Sequence, residues 1–143
     1  MTTPVWVLLG FAAWTVLLLT ATVGIYRWTR ILTGRAPIRS FRADQIEGED
    51  WYKRAMRAHA NCIENLPVLG AIVFALYVSG LAGPGVNIAV VAILPARIVQ
   101  SLVHVCLVQT NRAVSFRFSF FMVQVLCFLW LIAIIVVKAG GGA

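Results

Sequence analysis

The chain has 143 residues, of which 61% are hydrophobic and 12% charged, and its net charge is +7. A soluble domain of this length carries far more charged surface, so the composition excludes an ordinary soluble domain. The basic excess lacks interleaved aromatic residues and a nucleic-acid-binding motif. We therefore expect no nucleic-acid partner.

Three stretches contain no charged side chain: residues 1–26, 65–96 and 118–137. A helix needs about 20 mainly apolar residues to cross the hydrocarbon layer of a membrane. The middle stretch is interrupted by glycine and proline at 79–85, so it supplies parts of two spans. The sequence predicts an all-α integral membrane four-helix bundle in a single domain, with helices at about residues 4–32, 50–78, 84–108 and 113–138.

The basic residues predict the orientation of this bundle. Eight of the twelve Lys and Arg lie between Arg27 and Arg57, and Arg112 and Arg117 lie between spans three and four. Cytoplasmic connections carry such an excess, which places both termini outside the cytoplasm. The first span precedes its basic residues and is too long for a signal peptide, so it is a retained anchor. The compact layout favours a bacterial inner membrane.

The three cysteines, Cys62, Cys106 and Cys127, fall in or beside apolar segments and form no CxxC spacing. This pattern predicts neither a disulfide framework nor a metal site. We expect buried free thiols that pack as small hydrophobic side chains.

Two ionisable residues, Glu64 and Arg97, fall inside the predicted spans. A charge at the bilayer centre costs roughly 2.5–3.5 kcal/mol on insertion scales, so each needs a partner or a wet cavity. Both lie at similar heights from the turn at 79–85. We therefore predict a Glu64–Arg97 contact, within one subunit or across a subunit boundary. A structural ion pair that fixes helix register is the alternative to a ligand site.

The neighbours of this pair favour a ligand site. Two polar stripes run toward the cytoplasm, near Arg112. The stripe on helix two has the spacing i, i+4, i+7, and the stripe on helix three has the spacing i, i+3, i+7, so each lies on one helical face. Such a path predicts a cytosol-facing pocket for a charged hydrophilic ligand. A bis-histidine haem between His59 and His104 has no supporting pattern, because His59 lies off the stripe. The stripes are Arg57, Asn61, Glu64 and Arg97, Gln100, His104.

The segment Arg57-Ala-His-Ala-Asn-Cys-Ile-Glu-Asn-Leu-Pro67 resembles the signature of the MAPEG family, the membrane-associated proteins in eicosanoid and glutathione metabolism. The resemblance extends to Ala96-Arg-Ile98 and to Asn111-Arg-Ala-Val-Ser-Phe116, in the same order. Length and four-span layout agree as well. The resemblance therefore covers nearly the whole chain.

This resemblance implies a homotrimer that binds glutathione between subunits and acts as a transferase or peroxidase on a lipophilic small molecule from the membrane lipid. Two carboxylates and an ammonium of glutathione would match arginines and a glutamate, and a guanidinium would stabilise its thiolate. Arg112 would carry that last role, helped by Ser115 and His104. The implied glutathione-binding residues are Arg57, Asn61, Glu64, Arg97 and Gln100.

Two departures from the family pattern leave other functions open. His104 stands where many catalytic members have a tyrosine, and Gln100 stands where several have a histidine. The alternative is a non-catalytic trimeric protein that binds lipid or acts as a scaffold. A proton-coupled carrier that uses Glu64 and His104 is a third reading, which four short helices without inverted repeats disfavour.

Overall fold

The computed structural model describes residues 1–42 and 46–140, with the last two in backbone only. Its long helices are α1 (Thr3–Leu32), α2 (Asp50–Ser79), α3 (Pro84–Cys106) and α4 (Asn111–Gly140), and each is long and apolar enough to cross a membrane. The chain is thus an all-α four-helix bundle, as the sequence predicts. A short 3₁₀ turn at Ile38–Ser40 interrupts the connection between α1 and α2.

The four helices pack side by side with α3 at the centre. α1 contacts α2 and α3, while α4 packs mainly on α3 and less on α2. Large apolar side chains such as Trp28, Phe74 and Val137 remain exposed on the outside. This arrangement suits a lipid surround, because hydrocarbon solvates apolar side chains that water would not.

α1 is not regular along its whole length. Its buried residues follow α-helical spacing from Val7 through Phe11 and Leu18, and the next one is Val23. A π-helical segment, Leu19–Gly24, accounts for this wider step. The sequence pattern does not predict this segment. It turns the last part of the helix, Ile25–Leu32, toward α2.

An aromatic cluster ties that last part of α1 to the start of α2. The rings of Tyr26 and Tyr52 stack with centroids 4.1 Å apart, and Arg27 Nε donates to Tyr52 Oη at 2.8 Å. Arg30 pairs with Glu49 at 2.6 Å, and Trp51 Nε1 donates to the same carboxylate at 2.8 Å. The hydrogen bonds from Trp51 and Arg30 hold the pKa of Glu49 below its ordinary value. We call these six residues the aromatic clasp.

The connections between helices are short where the sequence predicts them. α2 ends at Gly80, whose φ of 64° is the left-handed conformation that glycine adopts without strain. α3 ends at Cys106, and Leu107 is already extended. α4 begins at Asn111, two residues before the expected position. The two ends of the bundle differ in the connections that they carry. We call the end with the 33–49 and 107–110 connections the loop end.

The three cysteines are free thiols, but their burial is uneven. Cys62 is buried in the core, Cys127 is partly buried, and Cys106 is exposed. The expectation that all three are buried is therefore wrong for Cys106. Its place at the last residue of α3, where the helix leaves the core, explains the difference.

Candidate functional site

A cavity of about 680 Å³ opens at the loop end between α2, α3 and α4. Its size lies within the range of small-ligand sites, which is typically about 300–1,000 Å³. Three of the residues predicted for the site line it: Arg57, Asn61 and His104. The remaining lining residues are Asp50, Lys53, Arg54, Val108, Gln109 and Arg117.

α2 supplies one wall of the cavity through a single helical face. Asp50, Arg54, Arg57 and Asn61 follow one another at steps of four, three and four residues, which keeps them on one side of the helix. Arg54 Nη2 donates to the Val105 carbonyl of α3 at 3.5 Å, so this side chain lies across the gap between the two helices. The polar start of α2 therefore forms one wall of the cavity.

The opposite wall comes from the end of α3 and the second turn of α4. His104 is buried in the last turn of α3, and Arg117 is half-buried on α4. Val108 and Gln109 form the rim, because the chain leaves α3 in an extended conformation at Leu107. The cavity therefore joins three helices that the sequence places far apart.

The lining is strongly cationic. In the described part of the chain, the lining holds one carboxylate, that of Asp50, and four cations, Lys53, Arg54, Arg57 and Arg117. The Asp50 side chain is 89% exposed and lies 3.8 Å from Lys53 Nζ, so it is at the mouth and already has a cation beside it. Arg54 Nε is buried without a hydrogen-bond partner among the described residues. A buried donor of this kind favours an anionic ligand.

Arg97 and Gln100 lie deeper in the core and do not line the cavity. Arg97 is only 1% exposed, and its guanidinium carbon lies 5.6 Å from the centroid of the Phe11 ring. Its Nε and Nη2 have no partner within the described part of the chain. Gln100 accepts a hydrogen bond of 2.9 Å from Gln124 Nε2 of α4. Both side chains therefore lie in the interior of the bundle in this chain.

The predicted Glu64–Arg97 contact does not form within one chain. Neither residue takes part in an ion pair among residues 1–42 and 46–140, since Glu64 is exposed and Arg97 is buried. The reason is helical rotation: the face of α2 that points inward at this height carries Cys62, whose Sγ lies 3.6 Å from Ser101 Oγ of α3. A contact across a subunit boundary stays a prediction.

Arg112 and Ser115 lie outside the cavity. Both are exposed on the first turns of α4, where they line a shallow recess of about 430 Å³ with Asn111, Phe116 and Ser119. The single chain therefore does not bring these two residues together with Arg57 and Asn61. Glu64 and Arg112 both lie on the outer surface of the chain.

Three cationic residues of the site, Lys53, Arg54 and Arg117, were not predicted. The sequence contains a signal for some of them and not for others. Arg54 continues the helix-two stripe by one step toward the N-terminus, so extending the same spacing would have found it. Lys53, its neighbour, faces the same wide cavity. Arg117 has no such signal, because its position depends on how α4 rotates against α3. His59 is partly buried and does not line the cavity.

The fold and the cavity together define a polytopic helical membrane protein with a cationic recess at one end of its bundle. A sequence model of the MAPEG family matches residues 4–137, nearly the whole chain. No curated protein and no solved structure matches the chain significantly. The match establishes the family, and the chain belongs to the MAPEG family.

Proposed function

We propose that the protein is a glutathione-dependent transferase or peroxidase that acts on lipophilic electrophiles dissolved in the membrane. The cationic cavity at the loop end of a MAPEG-family bundle is the observation that carries the proposal. Glutathione has two carboxylates that guanidinium groups recognise in pairs of hydrogen bonds, and its length suits an elongated polar recess. The loop end then faces the cytoplasm, where the thiol is supplied.

The α2 wall would hold the peptide part of the substrate. Arg57 and Arg54 bind the two carboxylates, and the Asn61 side chain offers both a donor and an acceptor to the peptide groups. Glu64, one turn further along the same side of α2, accepts the ammonium. Arg97 lies in the core of the bundle behind this wall and supports the wall from that side. These roles follow from residue type and position on the helix.

The thiol requires a nearby cation to react as thiolate at neutral pH, because a guanidinium lowers the pKa of a thiol beside it. We assign this role to Arg112, with Ser115 as a second donor. The assignment needs a neighbouring subunit, since Arg112 lies on the outer surface of its own chain. A homotrimer meets this need by packing the α4 recess of one subunit against the exposed Glu64 side of the next. We assign to His104, which lines the cavity, the exchange of a proton with the substrate.

The test measures conjugation of glutathione with an aryl chloride by the purified protein in lipid nanodiscs. In this reaction a carbon–sulfur bond forms and chloride leaves. We expect Arg112→Ala to lower the rate by about a hundredfold, the usual loss for a group that stabilises charge in the reacting complex. Arg35→Ala removes an exposed cation of the 33–49 connection and serves as the control, with an unchanged rate.

Two results would overturn parts of this proposal. An inactive wild-type protein, tested also with an organic hydroperoxide, would remove the catalytic function. An active Arg112→Ala variant beside an inactive Arg117→Ala variant would move thiolate stabilisation into the cavity of a single chain. The second result would keep the reaction and change its residue.

The second candidate is a non-catalytic trimeric protein that binds lipid or acts as a scaffold. Its support is an apolar groove of about 750 Å³ between α3 and α4, lined by Ile88, Leu126 and Trp130 among others. The groove fits hydrocarbon and has almost no polar surface for chemistry. Titration calorimetry with glutathione separates the two functions, because the non-catalytic protein would show no saturable heat of binding.

A further inference from the structure

The charge of the cavity lining exceeds what a zwitterionic tripeptide requires. Among the residues that the structure describes, four lining side chains carry positive charge and one carboxylate, that of Asp50, is largely exposed beside Lys53. Glu64, the residue proposed to accept an ammonium, does not line the cavity. Among the described residues, the lining therefore carries more cationic donors than anionic acceptors.

From this surface we infer that the cavity is also a binding site for a phosphate group, which carries more negative charge than a carboxylate and no ammonium. Arginine is the residue that matches phosphate oxygens with paired donors. Arg54 from α2 and Arg117 from α4 both line the cavity, so a phosphate dianion that binds both would neutralise two of its cations. The inference does not depend on glutathione being the substrate.

Among these cations, Arg54 has the surroundings best suited to binding a phosphate group. Its Nη2 lies 3.5 Å from the Val105 carbonyl, which places the guanidinium in the gap between α2 and α3. Its Nε is buried and has no partner among the described residues. The guanidinium of Arg54 thus has an unmet donor, and a phosphate in the cavity would supply an acceptor.

The phosphate has two possible sources, a lipid headgroup or a soluble molecule. The rim of the cavity favours access from the membrane side, because its apolar residue, Val108, is 71% exposed two residues after the end of α3. Basic pockets between helices at the cytoplasmic surface are the usual place for anionic lipid headgroups. A phosphomonoester headgroup with two negative charges fits the lining best.

The experiment uses the full-length protein in phosphatidylcholine nanodiscs, with inorganic pyrophosphate as the soluble probe and calorimetry as the readout. We expect saturable binding that Arg54→Gln and Arg117→Gln each weaken by at least about tenfold, the loss expected for one charged hydrogen bond. Arg54→Lys keeps the charge without the paired donors and falls between. Arg35→Gln, the matched change of an exposed arginine, leaves the affinity within about twofold.

A second set of nanodiscs contains phosphatidic acid in place of part of the phosphatidylcholine. Loss of pyrophosphate binding there identifies the lipid headgroup as the occupant, and unchanged binding identifies a soluble phosphate compound. Absence of saturable binding in every nanodisc overturns the inference. Equal weakening by Arg35→Gln also overturns it, because the attraction is then diffuse charge. Thermal unfolding of each variant checks that it is folded, and no arm of the experiment uses glutathione turnover.

Discussion

The chain places arginine in two contrasting regions, the cavity at the loop end and the middle of the bundle. Arg54, Arg57 and Arg117 line the cavity, where water and ligand reach them. Arg97 is 1% exposed and contacts the face of the Phe11 ring, with two of its nitrogens unpaired among the described residues. Under the proposed function, the same type of side chain therefore serves recognition in one region and packing in the other, because its surroundings differ.

The two regions also differ in the free-energy cost of holding a cation. A cation at a wet surface keeps most of its hydration, so the cavity residues remain available at little cost to stability. A buried cation without a carboxylate has lost its hydration and regains only part of it from a ring face. Changes in the cavity should thus alter function, and changes at Arg97 should alter stability.

The largest effect on activity among the cavity residues is expected for Arg57→Ala. Under the proposed function this change removes a carboxylate-binding group, and we expect kcat/KM for glutathione conjugation to fall by about a hundredfold, or about 2.7 kcal/mol. The Tm should stay within about 2 °C of wild type, because Arg57 is exposed. A large drop in Tm with intact kcat/KM would reverse the contrast between the two regions.

Arg97 should show the opposite pattern, and two variants sharpen it. Arg97→Ala leaves an empty volume beside Phe11, so we expect the free energy of unfolding to fall by about 2–4 kcal/mol. Arg97→Met fills that volume without a charge and should equal or exceed wild-type stability. Denaturant unfolding in detergent measures both. If Met is as destabilising as Ala, the charge itself has a partner in the assembled protein.

The smallest effect is expected at the aromatic clasp. The pKa of Glu49 is lowered, so its carboxylate stabilises the fold above its ordinary pKa of 4.5, and this contribution fades as the pH falls through the lowered value. Glu49→Gln should therefore lower the Tm slightly at pH 7, by no more than about 2 °C, since the pair is exposed. Wild type and variant should converge in acid. A constant difference at all pH values would assign the effect to packing.

Much of the fold was predictable from the sequence. Charge-free runs locate the membrane helices, and the break at 79–85 separates the second from the third. The polar stripes of α2 and α3 were also visible, since helical periodicity places residues on faces. These signals are local and need no knowledge of how helices pack.

The arrangement of the site was less predictable, and Glu64 shows why. Counting residues from a turn gives the height of a side chain along the bundle, and it leaves the rotation of the helix undetermined. Cys62 therefore occupies the inward position that the sequence analysis gave to Glu64. Arg117 was missed for the same reason, because only the packing of α4 on α3 turns it into the cavity. Arg112 joins the site only through the contacts between subunits of the proposed homotrimer.

The π-helical segment at Leu19–Gly24 has a consequence for how the first span tolerates change. One extra residue in this turn lets the two parts of α1 present different sides to the bundle. Deleting a single residue there would turn Tyr26 and Arg27 by about 100° and detach them from Tyr52. Replacing any one residue of the segment keeps the turn. The length of this span is therefore more constrained than its composition, although hydrocarbon surrounds it on most sides.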